Sequence, residues 1–446
     1  MPGAEPAASP ETIAAVATPI GRGALGIVRL TGPAIPEIAR RLLTRLPEPR
    51  RATLLRVRDA GDETLDEAIV VNFPAPHSYT GEHVLEIHAH GGPVVLQSIL
   101  QACLDAGARM AEPGEFTRRA YLNGRMDLAQ AEAVADLIDA ASREAARSAL
   151  RSLQGEFSAA VHGLAAQLIE LRALTEAMLD FPEEEVDALH RDDAEGRLIR
   201  LRQTMAELRS RSREGSLLRS GIHVVLAGRP NVGKSSLLNR LAGAERAIVT
   251  AIPGTTRDAL REPILIEGVP LILVDTAGLR ATRDEVERLG VERTRAEIAQ
   301  ADLLIAVHDA SVTDFEPLEA LPGATARLDV YNKIDLAPRF RPPPGAQRPV
   351  LVSARTGAGI DRLRRSILEA AGWGGHGENV FLARERHLRA MSDASRHLDA
   401  AAQQIMRWEL FAEELRLAQQ SLGAVTGEFG AEDLLGEIFS RFCIGK

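Results

Sequence analysis

Residues 228–235 read Gly-Arg-Pro-Asn-Val-Gly-Lys-Ser, set between the apolar run IHVVLA and the helix-like segment SLLNRLAG. A Gly-x-x-x-x-Gly-Lys-Ser string after a strand and before a helix is a phosphate-binding loop. Its backbone amides and the helix N-terminus converge on an anion, so Asn231, Val232, Gly233, Lys234, Ser235 and Ser236 are candidate nucleotide contacts. Lys234 is expected to reach the β and γ phosphates, and Ser235 to offer its hydroxyl to Mg²⁺. Around the loop, residues 216–373 alternate strand and helix patterns as a doubly wound α/β sheet does.

Further strings fall in order at strand ends. PLILVDTAG (270–278) ends in Asp275, Thr276, Ala277 and Gly278. Asp275 is expected to hold Mg²⁺ through water and the Gly278 amide to meet the γ-phosphate. DVYNKIDL (329–336) supplies Asn332, Lys333 and Asp335. A carboxylate at Asp335 accepts from both N1–H and the exocyclic amine of guanine, a donor pair adenine lacks, so the pattern selects GTP. VSARTG (352–357) places Ser353, Ala354 and Arg355 where a loop backbone contacts guanine O6. Between the first two strings, IVTAIPGTTRD (248–258) is a switch-loop candidate. Thr256 is its expected Mg²⁺ and γ-phosphate ligand, with Thr255 as the rival.

The position after Gly278 is Leu279, where Ras-like GTPases carry a water-orienting Gln. Another route to charge neutralisation is therefore required. Two readings of Asn231 stand: its side-chain oxygen binds a monovalent cation beside the phosphates, or it caps its own loop. Two also stand for Glu285 and Glu287: water-orienting carboxylates, or an exposed acidic helix start.

At 446 residues the chain is too long for one core. Aromatic residues make up only 4%, and Ala, Leu and Arg are abundant, a bias toward helices. In residues 1–122, TIAAVAT, ALGIVRLTG, EAIVVNFPAP and HVLEIHAHGG read as strands, and VVLQSILQACLDAGA as a helix ending near Gly107, giving an α+β domain. Residues 123–215 are helical in texture, with Leu128, Ala131, Ala135 and Ile138 at helical spacing and an interruption at DFPEEEVD. Helical texture returns over 374–446, so the α/β domain at 216–373 reads as an insertion within one helical domain. The opening MPGAEPAASPET lacks the basic and apolar regions of a secretory signal, and no apolar run approaches the ~20 residues of a membrane span. Two cysteines, Cys103 and Cys443, form no disulfide framework, so a reducing cytoplasmic setting is expected. Net charge is −9, which excludes a general nucleic-acid coat. Arg-rich stretches at 40–58 and 195–219 are local basic candidates or solvated surface. His88 and His90 share a strand face, with no third ligand at a metal-site spacing.

The chain closely resembles the MnmE (TrmE) family of tRNA wobble-uridine modification GTPases, over essentially its whole length. The likeness is carried by ATPIGRGALGIVRLTG, YTGEHVLEIHAHGGP, PGEFTRRAYLNGRMDLAQAEAVADLIDA, SLQGEFS, GRPNVGKSSLLN, PGTTRD, DTAGLR with DEVER, EELRLAQQ and FCIGK. The resemblance implies a folate-binding, dimerising N-terminal domain, a helical domain and an inserted P-loop GTPase domain. It implies a homodimer working with the flavoprotein MnmG, in a heterotetramer, on C5 of tRNA uridine 34. The one-carbon unit comes from a tetrahydrofolate derivative (5-formyl or 5,10-methylene), and FAD stays on the partner. It places folate contacts on Arg29, Glu86, Arg125 (where lysine is common in the family) and Lys446. It implies K⁺ activation through Asn231, Thr250, Ile252 and Thr255, despite Ala251 where the family usually has Asp, and a water-orienting role for Glu287. Cys443 is either a thiol of the chemistry or a small buried residue of the last helix. A GTPase switch of another class would share the nucleotide motifs but need neither the N-terminal domain nor FCIGK.

Overall fold

The structure is a computed structural model and describes residues 11–180, 188–243, 264–275, 301–312, 326–375, 380–428, 432–440 and 442–445. Expectations at Thr250, Ile252, Thr255, Thr256, Thr276, Ala277, Gly278, Glu287 and Lys446 lie outside the described residues. The chain divides into two compact units, Met1–Ala135 with Leu422–Lys446, and Asp136–Ser421.

The first unit is built on β1 (Ile13–Val16), β2 (Leu25–Thr31), β3 (Thr53–Arg58), β4 (Thr64–Phe73), β5 (Val84–His90) and β6 (Arg109–Met110). They form one sheet in the order β3-β4-β5-β2-β1-β6, antiparallel except where β6 runs parallel to β1. Side chains alternate across it with period two. Val28, Leu30, Val57, Val70, Leu85 and Ile87 are buried on one face against α1 (Ile35–Leu42) and α2 (Pro93–Asp105). Burying each such aliphatic side chain is worth roughly 1.5–3 kcal/mol. The interleaved residues, among them Arg29, Glu86 and His88, fall on the opposite face. α2 starts where a proline at its first position follows extended Gly92.

α3 (Glu115–Leu122) and α4 (Leu128–Ile138) follow the sheet. Leu128 and Ala131 pack with Ile438, Phe439 and Phe442 from α12 (Glu432–Ser440) and the segment after it. The expected strands and α2 are present. β3 lies in the Arg-rich 40–58 stretch and was not anticipated. Nor was β6, which is two residues long and exists only through its pairing with Ile13 and Ala14.

The second unit combines α5 (Arg143–Leu153), α6 (Glu156–Asp180), α7 (Ala188–Ser220), α10 (Glu385–Gln403) and α11 (Trp408–Thr426) with an α/β body. In α6, Phe157, Val161, Leu164, Leu168 and Leu171 recur at intervals of four and three and are all buried, the apolar stripe that makes a helix pack. The body comprises β7 (Ile222–Ala227), α8 (Lys234–Ala242), β8 (Ile264–Ile266), β9 (Val269–Asp275), β10 (Leu303–Asp309), β11 (Ala326–Asn332), β12 (Val350–Leu351) and α9 (Ile360–Ala370). Its strand order is β12-β11-β10-β7-β9-β8, parallel except for edge strand β8. Strand order reverses at β7, flanked by β9 and β10, so a crevice opens at its C-terminal end, where doubly wound sheets bind ligands. Among the described residues no helix is long and apolar enough to cross a membrane.

Candidate functional site

The 228–235 loop leaves β7 at that crevice. Gly228 passes so close to β10 that a Cβ would stand 2.5 Å from the Val307 carbonyl oxygen. Gly233, at φ +95°, turns the loop into α8, and a Cβ there would stand 2.3 Å from Asn332 Nδ2. Lys234 opens α8, and its Nζ donates to the carbonyls of Gly228 (2.7 Å) and Arg229 (3.1 Å). Ser235 and Ser236 stand exposed in the first turn, where helix amides lack internal partners and favour an anion.

Asn231 adopts φ +65° and its side chain is exposed. That side chain makes no hydrogen bond among the described residues, so it does not cap its own loop there. Its carbonyl accepts from Lys333 Nζ at 2.7 Å, and the same ammonium donates to Asp309 Oδ2 at 2.6 Å. Partial burial raises the Asp309 carboxyl, but the Lys333 and Ser311 hydrogen bonds outweigh it and leave it below the usual range. Asp309 was missed in the sequence, where it is only the last residue of an apolar strand. Asp275 closes β9 opposite Leu226.

The two base-recognition strings meet in space. Asn332 is 2% exposed; its Nδ2 donates to the Val232 carbonyl (2.9 Å) and its Oδ1 accepts from the Ala354 amide (2.9 Å). One side chain thus ties the phosphate loop to the 352–357 loop, and the Ala354 N–H is engaged by it. Buried Ser353 donates its hydroxyl to Asp335 Oδ1 at 2.6 Å and accepts from the Thr356 amide at 3.1 Å. Arg355 lies 3.9 Å from the other Asp335 oxygen. The carboxylate that would read guanine is therefore held in one orientation from both sides.

A second cluster lies on the open face of the first unit's sheet. Arg29 and Glu86 are register partners on β2 and β5, and both Nε and Nη2 of the guanidinium lie 2.9 Å from Glu86 Oε1. Glu86 Oε2 is 3.1 Å from His88 Nε2. The guanidinium stands 5.6 Å from the Tyr79 ring centre and 5.9 Å from that of Phe116, within cation–π range. Tyr79 is bound to Thr117 at 2.9 Å, and burial raises its phenol despite that bond and the Arg29 charge. Exposed Arg125 lies beside Gly81, two residues from Tyr79, and Asn123 Nδ2 donates to the Thr80 carbonyl at 2.8 Å.

Phe116 and Thr117 are fixed by an ion network that sequence reasoning did not assign. Glu115, 1% exposed, accepts from Arg109 (2.8 Å), Arg119 (2.9 Å) and the Glu112 amide (2.9 Å). Burial raises its carboxyl, but these donors win and bring it down to about 2. The only sequence sign was Glu115 and Arg119 at i,i+4 spacing.

Cys443 lies beyond α12 and is exposed, which removes the second of its two readings, a small buried residue of the last helix. Its carbonyl accepts from the Gly114 amide at 3.4 Å, and Ile444 bridges Pro113. Gly445 seats against β1, where a Cβ would stand 2.4 Å from the Val16 carbonyl. The tail is thereby fixed beside the first turn of α3, which carries Phe116. Cys103, by contrast, is fully buried, and burial pushes its thiol up to about 12.

Family models match both parts of the chain: the GTP-binding protein TrmE N-terminus over residues 12–125 and the MnmE helical domain over residues 128–443. The tRNA modification GTPase MnmE of Azoarcus sp. (strain BH72) is 58% identical over 445 residues, covering 98% of each chain. Its namesake in Thiobacillus denitrificans (strain ATCC 25259 / T1) is 56% identical over 441 residues, again 98% of each. Matched over nearly its whole length, the chain belongs to the MnmE family of GTPases.

Proposed function

We propose that this chain is a potassium-activated tRNA modification GTPase. Working as a homodimer with the flavoprotein MnmG, which carries FAD, it adds an aminomethyl or carboxymethylaminomethyl group to C5 of wobble uridine 34. The one-carbon unit is drawn from a tetrahydrofolate derivative, and GTP hydrolysis opens and closes the GTPase domains. The observation that carries the reading is the Arg29–Glu86 pair set beside the Tyr79 and Phe116 rings. Rings accept the face of a flat heterocycle, while a carboxylate and a guanidinium match its amide-like edge or a glutamate tail.

At the nucleotide site, the loop amides and Lys234 bind the phosphates and Asp335 selects guanine. Ser235, with Asp275 acting through water and Thr256, would hold Mg²⁺. The free amide of Asn231, with Thr250, Ile252 and Thr255, would hold K⁺. These cations offset the charge that develops on the phosphates, the office of an arginine finger elsewhere. Glu287 would orient water. Arg125 and Lys446 would add cationic contacts to folate, and Cys443, which is exposed and whose carbonyl accepts from the Gly114 amide, would supply a thiol to the chemistry.

Titration of the full chain with 5-formyl-tetrahydrofolate, followed by the ligand's own absorbance, tests the folate site. Stoichiometric binding that Glu86→Gln weakens at least tenfold is the expected result. No retention by the parental chain would overturn the folate reading and leave a GTPase alone.

A further inference from the structure

Of the two stretches singled out as basic in the sequence, the first is largely neutralised and the second in part. Arg40 and Arg41 pair with Glu37, Arg51 with Glu48, Arg56 with Glu67 and Arg58 with Asp62. In the second stretch, Arg197 pairs with Asp193 and Arg202 with Asp399. Arg200, Arg209, Arg213 and Arg219 of that stretch are exposed without an ion pair among the described residues, but they are spread along one helix that also carries Glu195, Glu207 and Glu214. A denser basic cluster lies elsewhere. Residues 337–368 contain seven arginines, no lysine and a single carboxylate, Asp361, giving a local +6 in a chain of net −9. Asp361 takes Arg364, and Arg355 faces Asp335. Arg339, Arg341, Arg348, Arg362 and Arg365 are exposed and make no ion pair or hydrogen bond among the described residues.

The segment bearing three of these arginines is anchored rather than loose. The Asp329 amide donates to the Gln347 carbonyl (2.9 Å), and the Gln347 amide donates back to Asp329 Oδ2 (2.7 Å). Phe340 packs on Tyr331 with ring centres 5.0 Å apart, and residues 342–344 are three consecutive prolines. Arg348 then faces Arg362 of α9 across a cavity of about 380 Å³ lined also by Pro349, Ser366 and Glu369. Such prior ordering lowers the entropy of binding, and guanidinium forks match phosphate oxygens. The one aromatic residue among these arginines, Phe340 between Arg339 and Arg341, is engaged with Tyr331, so the chemistry suits a sugar–phosphate backbone rather than stacked bases.

We propose that this arginine face, the 337–349 segment with α9, docks the phosphate backbone of the RNA substrate. The proposal rests on the reading that the chain acts on tRNA. It concerns positioning, since the residues lie outside the nucleotide contacts.

The test is tRNA binding by the full chain, using an unmodified tRNA transcript over a salt series. The comparison is a triple variant, Arg341→Glu, Arg348→Glu and Arg362→Glu. The expected result is at least tenfold weaker binding, with a log–log salt slope shallower by about 2–3, since each lost phosphate contact removes ~0.7–0.9. GTP turnover should be unchanged, which shows that the variant is folded. Affinity within twofold of the parent, or an unchanged slope, would overturn the proposal. So would absence of binding by the parental chain. Uridine 34 modification in cells relying on that chain then separates the cases: modification present leaves the tRNA reading standing, and modification absent sinks both.

Discussion

Asn332→Ala tests whether one buried amide holds the nucleotide site together. The substitution leaves the Val232 carbonyl and the Ala354 amide without their 2.9 Å partners. A buried polar group stripped of its partner costs about 1–3 kcal/mol. Val232 is buried and should bear the full cost, whereas Ala354 is half-buried and open to water. The sum is therefore about 2–4 kcal/mol. With a urea slope of ~2 kcal/mol/M, the midpoint should fall by about 1–2 M. Two tryptophans complicate the readout, so the assay uses a Trp408→Phe background, in which only Trp373, buried in the α/β core, reports. Asn332→Asp is the informative companion: it keeps the acceptor for Ala354 but sets a carboxylate oxygen against the Val232 carbonyl, so it should rescue little. A midpoint shift below about 0.3 M for Asn332→Ala would refute the reasoning, because the two bonds would then not be holding the loops.

Asp335→Asn removes the acceptor for guanine's donor pair, and GTP affinity should drop by about 10²-fold or more while xanthosine triphosphate gains; competition binding that shows unaltered GTP preference would count against the assignment. Glu115 has a carboxyl lowered in the folded state to about 2, so its stabilisation is full above the unfolded value near 4.5 and is lost as pH falls from there toward 2. Acid unfolding of the first unit, followed by circular dichroism, should begin in that window, and Glu115→Gln should destabilise the unit at neutral pH and flatten its response; coincident acid profiles would be evidence against the network. Thiol counting should find one reactive cysteine in the native chain, the exposed Cys443, and two after denaturation, since Cys103 is fully buried.

What could be read from the sequence was what is local. The phosphate loop presents contiguous backbone amides, so eight adjacent residues suffice to declare it. The period-two burial of β2 and β5 is likewise written in IVRL and VLEI. The ties that complete the site are not local. Asn332 to Val232 and Lys333 to Asn231 each span about a hundred residues, and no spacing rule predicts them. Arg29 and Glu86 look like surface charges until the β2–β5 register sets them opposite each other; only the family resemblance singled them out. β3 was obscured because its outward positions alternate as exposed Leu54, exposed Arg56 and half-buried Arg58 amid other arginines, masking the inward Leu55 and Val57. β6 has no signal of its own and is created by its partner strand. Arginine density misled in a similar way: nearby carboxylates cancel the 40–58 stretch, while the 337–368 face is spread over a loop and a helix that only the fold brings together.

The central claim is that Asn231 makes hydrolysis by this chain cation-dependent and that Asp335 makes it guanine-specific. Steady-state GTP and ATP turnover by the purified full chain, in KCl and in NaCl at matched ionic strength, tests it most directly. The account predicts turnover that requires GTP, is stimulated by K⁺ over Na⁺, and loses that stimulation in Asn231→Ala while nucleotide affinity holds. Turnover indifferent to the cation, or stimulation that survives Asn231→Ala, would contradict it.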